Sequence, residues 1–122
     1  MLKVNSSTID GLNAPEKHKR FVRMLADNVV KDTRVSKAFI FGSCAKGAIV
    51  EISDVDICSI IKNPLQGETD IEFYDYLPKD PQSIVSCDLL VFSEEELARL
   101  SNDPWCILFW VNREGMALIE RG

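Results

Sequence analysis

Residues 38–61 have the sequence AFIFGSCAKGAIVEISDVDICSII, in which two apolar runs are joined by a segment rich in small residues. The first run, Ala38-Phe39-Ile40-Phe41, is typical of a short buried strand. Gly42 and Ser43 follow it, and small residues there allow a sharp turn into a helix whose free N–H groups can bind phosphate. The Ser43 hydroxyl adds a further donor. This order predicts a phosphate-binding turn at the end of a strand.

Two carboxylates open the second apolar run. The segment Asp54–Ile61 has strand character, and successive side chains on a strand alternate between its faces, so Asp54 and Asp56 are expected on one face about 6 to 7 Å apart. Two such carboxylates can share a pair of divalent ions. Each signal alone is weak, since the chain has 19 Asp and Glu residues and Asp54 could simply solvate a strand end. Their conjunction with the preceding turn favours a functional site.

A third carboxylate lies in another apolar run. Asp88 is the only acidic residue in the segment Ile84–Phe92, which has the character of a strand. Burying an unpaired carboxylate among apolar neighbours would cost several kcal/mol. We therefore expect a metal ion or a basic group beside Asp88.

Together these features resemble the DNA polymerase beta superfamily of nucleotidyltransferases, and within it the small stand-alone minimal nucleotidyltransferases, over most of the chain. The match consists of Gly42-Ser43, Gly47, Asp54-x-Asp56 and Asp88. The resemblance implies an α/β (α+β) fold, a small mixed β-sheet backed by helices, with residues 1–122 forming a single nucleotidyltransferase domain. One position departs from the family, because Cys44 stands where arginine is frequent.

The resemblance also implies a reaction and roles for the matching residues. Asp54 and Asp56 would bridge two Mg²⁺ ions, and Asp88 would complete the site of the first ion. Gly42 and Ser43 would hold the phosphates of ATP or another nucleoside triphosphate. Lys46 could supply part of the basic contact that Cys44 lacks. A nucleoside monophosphate, AMP if the donor is ATP, would then pass to an acceptor hydroxyl with release of pyrophosphate.

The residues themselves do not specify the acceptor of the nucleoside monophosphate. Many of the resembled minimal proteins are antitoxins that transfer AMP to a tyrosine of a helical HEPN-type toxin, and this is the leading expectation for the acceptor. A small hydroxyl compound such as an aminoglycoside is an alternative, for which a homodimer partner would supply the acceptor wall. An inactive nucleotidyltransferase fold that serves as a binding module is a third hypothesis.

Composition excludes some other classes of protein. The chain has 122 residues, a net charge of −5 and a sequence pI of about 4.8, so it has no general basic footprint for a long nucleic acid. No apolar stretch of about 18 residues is present, and the first residues lack the apolar core of a secretion signal, so we expect a cytoplasmic protein without membrane association. The four cysteines show neither zinc-ligand spacing nor a disulfide framework, and the three outside the turn are expected to be small core residues.

The scaffold includes one amphipathic helix near the N-terminus. Pro15 suits its first turn, and apolar residues recur at helical spacing through about Lys31, so one stripe should pack on the sheet. His18 lies among basic residues of this helix and is expected to be solvent-exposed. The segment Lys62–Ser83 contains several aromatic residues, which either form a flap over the nucleotide or anchor a surface loop to the core.

The C-terminal part of the chain is expected to be mainly helical. Ser93 and Glu96 have the spacing of a capping box at the start of a helix over Glu94–Leu100. The segment Pro104–Val111 is apolar nearly all round, so its helix is expected to be buried on more than one side, either in the core or against a partner. A last short strand is expected near Met116–Glu120.

Overall fold

The computed structural model describes residues 2–42, 54–62, 76–77 and 79–122. Its strands and helices follow one another along the chain as β1 Leu2–Val4, α1 Ser6–Asp10, α2 Glu16–Val30, β2 Val35–Phe41, β3 Val55–Ile61, a short 3₁₀ turn Pro81–Ser83, β4 Cys87–Ser93, α3 Glu94–Leu100, α4 Ile107–Glu114, β5 Met116–Ala117 and β6 Ile119–Arg121. The predicted helix after the Gly-Ser turn, and most of the Lys62–Ser83 segment, lie outside the described residues.

Four strands form a mixed sheet in the order β4-β3-β2-β5. The pair β3–β4 is parallel, whereas β2 pairs antiparallel with both β3 and β5. Helices pack on both faces of this sheet, so the predicted α/β (α+β) fold with a small mixed sheet is confirmed. Strands β1 and β6 form a separate antiparallel pair that brings Leu2 opposite Arg121.

One face of the sheet packs against α2. This helix has the bounds that its apolar spacing predicted, with Pro15 before its first residue and Lys31 after its last. Phe21, Leu25 and Val29 are buried in the same cluster as the inward-facing residues of β2 and β3. The expectation for His18 was wrong: its side chain is only 2% exposed, because the fold covers this side of the helix as well.

The opposite face of the sheet packs against α3 and α4. Leu108 and Val111 of α4 are fully buried with Cys58 and Ile60 of β3. Burial raises the pKa of the Cys58 thiol to about 12, so Cys58 is an inert core residue as expected. Cys87 and Cys106 are only partly buried.

The start of α3 confirms a local prediction. The Ser93 hydroxyl accepts from the Glu96 amide at 3.1 Å, and the Glu96 carboxylate accepts from the Ser93 amide at 3.0 Å. These two hydrogen bonds form the capping box expected from the Ser-x-x-Glu spacing.

The core of the chain does not bury the segment ending in α4 on more than one side, so that part of the expectation was wrong, and burial against a partner stays a prediction. Trp105, Trp110 and Ile107 are 96%, 47% and 40% exposed, respectively. A helix of eight residues lying on a sheet buries one stripe, here Leu108 and Val111, and leaves its outer face open.

The secondary structure near the two chain ends differs from what the sequence predicted. The single strand expected near Met116–Glu120 is divided into β5, which joins the main sheet, and β6, which pairs with β1. Neither β1 nor the short helix α1 was predicted. No helix in the described parts of the chain is both long and apolar enough to cross a membrane.

Candidate active site

The central carboxylate of the site is Asp56, on an inner strand of the sheet. In the backbone register it lies between Phe41 of β2 and Asp88 of β4. Alternation along β3 puts Asp56 on the same face as Cys58 and Ile60, which is the face covered by α3 and α4. Residues paired on neighbouring strands have backbones about 5 Å apart, so Asp56 and Asp88 are close neighbours.

The other two carboxylates flank Asp56 at the same end of the sheet. Asp54 directly precedes β3 and is exposed. Asp88 is also exposed, which corrects the expectation that it is buried among apolar residues. The reason is its position near the start of β4, an edge strand, where the apolar packing on the face of Asp88 begins two residues later, at Leu90. The cost of burying an unpaired charge therefore does not apply to Asp88.

Gly42 completes the described part of the site. Its φ of +69° lies in the left-handed region that favours glycine. A Cβ atom added to Gly42 would lie 3.3 Å from Cγ of Asp56 and closer still to its Oδ2 atom. Gly42 is thus required both by the turn and by the approach of the Asp56 carboxylate. Ser43 and Lys46, the other predicted phosphate-binding residues, lie outside the described residues, as do Cys44 and Gly47.

The electrostatic environment of Asp56 reflects its neighbours. Partial burial raises the pKa of Asp56 above its usual value, and the negative charges of Asp88 and Asp54 raise it further. Among the described residues, ion pairs join Lys3 to Glu120, Arg23 to Asp10 and Arg34 to Asp32, and none of these three pairs involves the site carboxylates. Such a cluster favours the binding of a cation.

The donor set matches a hard divalent cation. Carboxylate oxygens are preferred ligands of Mg²⁺. Within the described ranges, no group of three or more Asp, Glu, His or Cys side chains is already arranged to hold one ion. That arrangement is compatible with Mg²⁺, which keeps several waters and is usually bound by one or two carboxylates together with substrate phosphates. Asp54, Asp56 and Asp88 therefore offer the oxygen ligands that Mg²⁺ prefers.

A pocket beside the carboxylates was missed in the sequence. It has a volume of about 300 Å³, and its described lining consists of Phe41, Gly42, Ile107, Trp110 and Glu114. The spacing of the three α4 residues does indicate a shared helix face. Nothing in the sequence indicates that this face lies next to Gly42, because that depends on how α4 packs on the sheet.

Tyr76 lies away from the carboxylates. It is buried with the cluster on the α2 face, its hydroxyl donates to Asp32 at 2.7 Å, and its carbonyl accepts from Asn28 at 2.9 Å. Of the two roles considered for the aromatic residues of this segment, Tyr76 has the anchoring one. Phe73 and Tyr74 lie outside the described residues.

Comparisons with known proteins concern the family and the fold of the chain. The family model described as "Polymerase beta, Nucleotidyltransferase" matches residues 24–121. Among solved structures, the chain resembles a candidate nucleotidyltransferase from Sulfolobus solfataricus, with 20% sequence identity, a TM-score of 0.51, and coverage of 84% of this chain and 82% of that chain. At that identity the likeness concerns the fold. Comparison with curated protein sequences gives no match. Because the family model spans most of the chain, including Gly42 and all three carboxylates, the chain belongs to the polymerase beta family of nucleotidyltransferases.

Proposed function

We propose that the protein transfers a nucleoside monophosphate from a nucleoside triphosphate to a hydroxyl group and releases pyrophosphate. The observation that carries this proposal is the position of Asp56, paired in register with Asp88 and in contact range of Gly42. A turn that can bind phosphate and carboxylates that can bind metal thereby meet at one end of the sheet. Membership of the family supports the same reaction class.

In this reaction the residues would have the following roles. Gly42, Ser43 and Lys46 bind the β and γ phosphates of the triphosphate, and Asp54, Asp56 and Asp88 hold two Mg²⁺ ions. When bound, these ions neutralise phosphate charge and lower the pKa of the acceptor hydroxyl. The exposure of Asp88 supports its role as the carboxylate nearest the acceptor, where it can take the hydroxyl proton.

We propose ATP as the donor and a tyrosine of a HEPN-type toxin as the acceptor, which gives the protein the role of an antitoxin. The support for this finer proposal is the resemblance to minimal nucleotidyltransferases through Gly42-Ser43, Asp54-x-Asp56 and Asp88. The exposure of Asp54 and Asp88 is compatible with an acceptor carried by a separate protein.

The first test is calorimetric titration of ATP in the presence of Mg²⁺. We expect binding that depends on the metal and is lost in Asp54→Asn/Asp56→Asn. Asp27→Asn removes the same type of charge from an exposed position on α2, across the sheet from the site, and should bind like the wild type. Absence of binding in the wild type with all four common triphosphates would contradict the proposal.

The second test identifies the transferred group. The protein is incubated with a HEPN-type protein and with ATP labelled on either the α or the γ phosphate. Nucleotidyl transfer places only the α label on the acceptor, and a Tyr→Phe change at the labelled tyrosine should abolish it. Asp88→Asn should lower the rate by roughly 100-fold or more, since charge stabilisation in such sites has few substitutes. Transfer of the γ label would overturn the assignment.

A further inference from the structure

We propose that the pocket between β2 and α4 binds the nucleobase of the donor, that Trp110 is the stacking surface, and that Glu114 favours bases carrying an amino group. This inference rests on the proposed function, because it concerns the nucleotide of the same site. It adds a base preference, which the motif residues themselves do not specify.

The location of the pocket is the first support. Gly42 lines the pocket and also lies against the Asp56 carboxylate. Phe41, which also lines the pocket, pairs directly with Asp56 across β2 and β3. A nucleotide whose phosphates lie at the carboxylates therefore has this pocket within reach of its base. A volume of about 300 Å³ is at the small end for ligand pockets and suits one ring system.

The ring of Trp110 is held in place before any ligand arrives. Its indole Nε1 donates to the carbonyl oxygen of Pro104 at 3.2 Å. Its ring meets that of Phe109 edge-on, with centroids 5.0 Å apart and an interplanar angle of 82°. The Arg113 guanidinium lies over the other ring of this pair, 4.9 Å from the Phe109 centroid. A preorganised ring loses little conformational entropy on binding, which favours affinity.

Packing in the core does not explain why this face of α4 carries apolar side chains. Leu108 and Val111 form the buried stripe, whereas Ile107 and Trp110 are 40% and 47% exposed. A single exposed apolar residue is ordinary. Here the two exposed residues are three positions apart on one helix face and line the same pocket, where a planar apolar ligand can cover them.

Glu114 is the residue that would make the pocket prefer some bases over others. It lies four residues after Trp110, hence on the same face of the helix, and it lines the pocket. An ionised carboxylate only accepts hydrogen bonds. Adenine, cytosine and guanine carry an exocyclic amino group that donates, whereas uracil presents carbonyl oxygens at the equivalent edge. Adenine or cytosine is therefore expected to bind better than uracil.

Fluorescence and calorimetry test the stacking surface. The chain has 2 tryptophans, so Trp105→Phe leaves Trp110 as the sole tryptophan reporter. With Mg²⁺ present, ATP should quench its fluorescence and inorganic tripolyphosphate, which has no base, should not. Trp110→Ala should weaken ATP binding roughly tenfold or more, the usual effect of losing one base stack, and leave tripolyphosphate binding unchanged. Trp110→Phe should retain part of the affinity.

Trp105→Ala is the matched control, because Trp105 belongs to the same segment but does not line the pocket. It should bind ATP like the wild type. Glu114→Gln tests selectivity, since an amide both donates and accepts, and it should reduce the preference for ATP over UTP.

The possible failures are distinguishable. If wild-type protein binds ATP and tripolyphosphate equally, or if Trp110→Ala binds ATP normally, the base pocket is wrong and the proposed reaction stands. Equal binding of ATP and UTP by the wild type overturns the role of Glu114. If neither ATP nor tripolyphosphate binds the wild type, the proposed function fails, and this inference fails with it.

Discussion

Gly42 and Asp56 are in direct contact across the β2–β3 pair, so the turn at the end of β2 and the central carboxylate form one structural unit. Gly42 adopts a φ of +69°, and a Cβ atom there would lie 3.6 Å from Cβ of Asp56 and much closer to its carboxylate. A side chain at position 42 would therefore displace the Asp56 carboxylate. The absence of a side chain at Gly42 leaves room for the carboxylate in this position.

Gly42→Ala is expected to impair both folding and nucleotide binding. The left-handed backbone and the contact with Asp56 should together cost about 1 to 3 kcal/mol of unfolding free energy. The displaced carboxylate should also abolish Mg²⁺-dependent ATP binding. Urea denaturation and calorimetry measure the two effects. Gly11 has an ordinary φ of −80°, and a Cβ there would lie 3.1 Å from the Ser7 carbonyl oxygen, so Gly11→Ala should lower stability and leave ATP binding unchanged. Normal ATP binding by Gly42→Ala would contradict the proposed coupling.

Asp56→Asn is expected to stabilise the metal-free protein near neutral pH. Burial, then the charges of Asp88 and Asp54, raise the pKa of Asp56 above its ordinary 3.8 in the folded state. A raised acid pKa gives stability that is present below pH 3.8 and is lost as the pH rises through the folded-state pKa. The melting temperature of Asp56→Asn should therefore exceed that of the wild type at pH 7 in EDTA, and the difference should vanish below about pH 4.

The control for this stability change is Asp27→Asn, an exposed position on α2, which should leave the melting temperature nearly unchanged. Addition of Mg²⁺ with nucleotide should stabilise the wild type and not Asp56→Asn. A lower melting temperature for metal-free Asp56→Asn at pH 7 would show that the carboxylate is stabilised by a partner, contrary to the raised pKa.

Tyr76→Phe is expected to destabilise the fold without affecting the site. The lost hydrogen bond to the ionised Asp32 should cost about 1 to 2 kcal/mol. Hydrogen bonds from Arg34, opposed by burial and aided by Tyr76, hold the pKa of Asp32 well below its ordinary 3.8. A depressed acid pKa gives stability that is lost as the pH falls, so the cost should be largest near pH 7 and shrink below about pH 4.

Urea denaturation at several pH values checks the Tyr76→Phe prediction. ATP binding is the internal control, because Tyr76 packs on the α2 face and the carboxylates lie on the other face of the sheet. A cost that is independent of pH, or a loss of ATP binding, would contradict the anchoring role.

Ser93→Ala is expected to lower the unfolding free energy by about 1 kcal/mol, because the first turn of α3 loses the side chain that accepts from the Glu96 amide. Ser101→Ala, at the other end of α3, should have a smaller effect, since the cap there is a backbone hydrogen bond. Adding Glu96→Ala to Ser93→Ala should cost less than the sum of the two single changes, because both belong to one capping box. Additive effects would argue against the reciprocal pair.

Features with a local cause could be predicted from the sequence. The bounds of α2 follow from Pro15 and from apolar residues at helical spacing, and the capping box follows from Ser93 and Glu96. The strand Val55–Ile61 follows from its apolar run. These predictions succeeded because each depends on interactions within a few residues.

Features that depend on distant elements could not be predicted. His18 is buried although its neighbours in sequence are basic, and Asp88 is exposed although its neighbours are apolar. Trp110 lies on the outer face of α4 although the whole segment is apolar. In each case, whether water reaches the side chain depends on whether a distant part of the chain covers it. At Asp88, on the edge strand β4, the side chain is left exposed.

The sequence by itself determined the strands that end at Phe41 and Ile61 and the turn at Gly42, because apolar runs and turn chemistry are properties of short segments. The family and its mixed α/β fold were expected from the resemblance that the motif residues carry. Only the tertiary structure decided that Gly42 contacts the Asp56 carboxylate, that Asp88 is paired in register with Asp56 and exposed, and that α4 places Trp110 and Glu114 in a pocket with Gly42. The physical reason is that register between strands and the packing of a helix on a sheet are set by burial of apolar surface over the whole domain, which no short segment specifies.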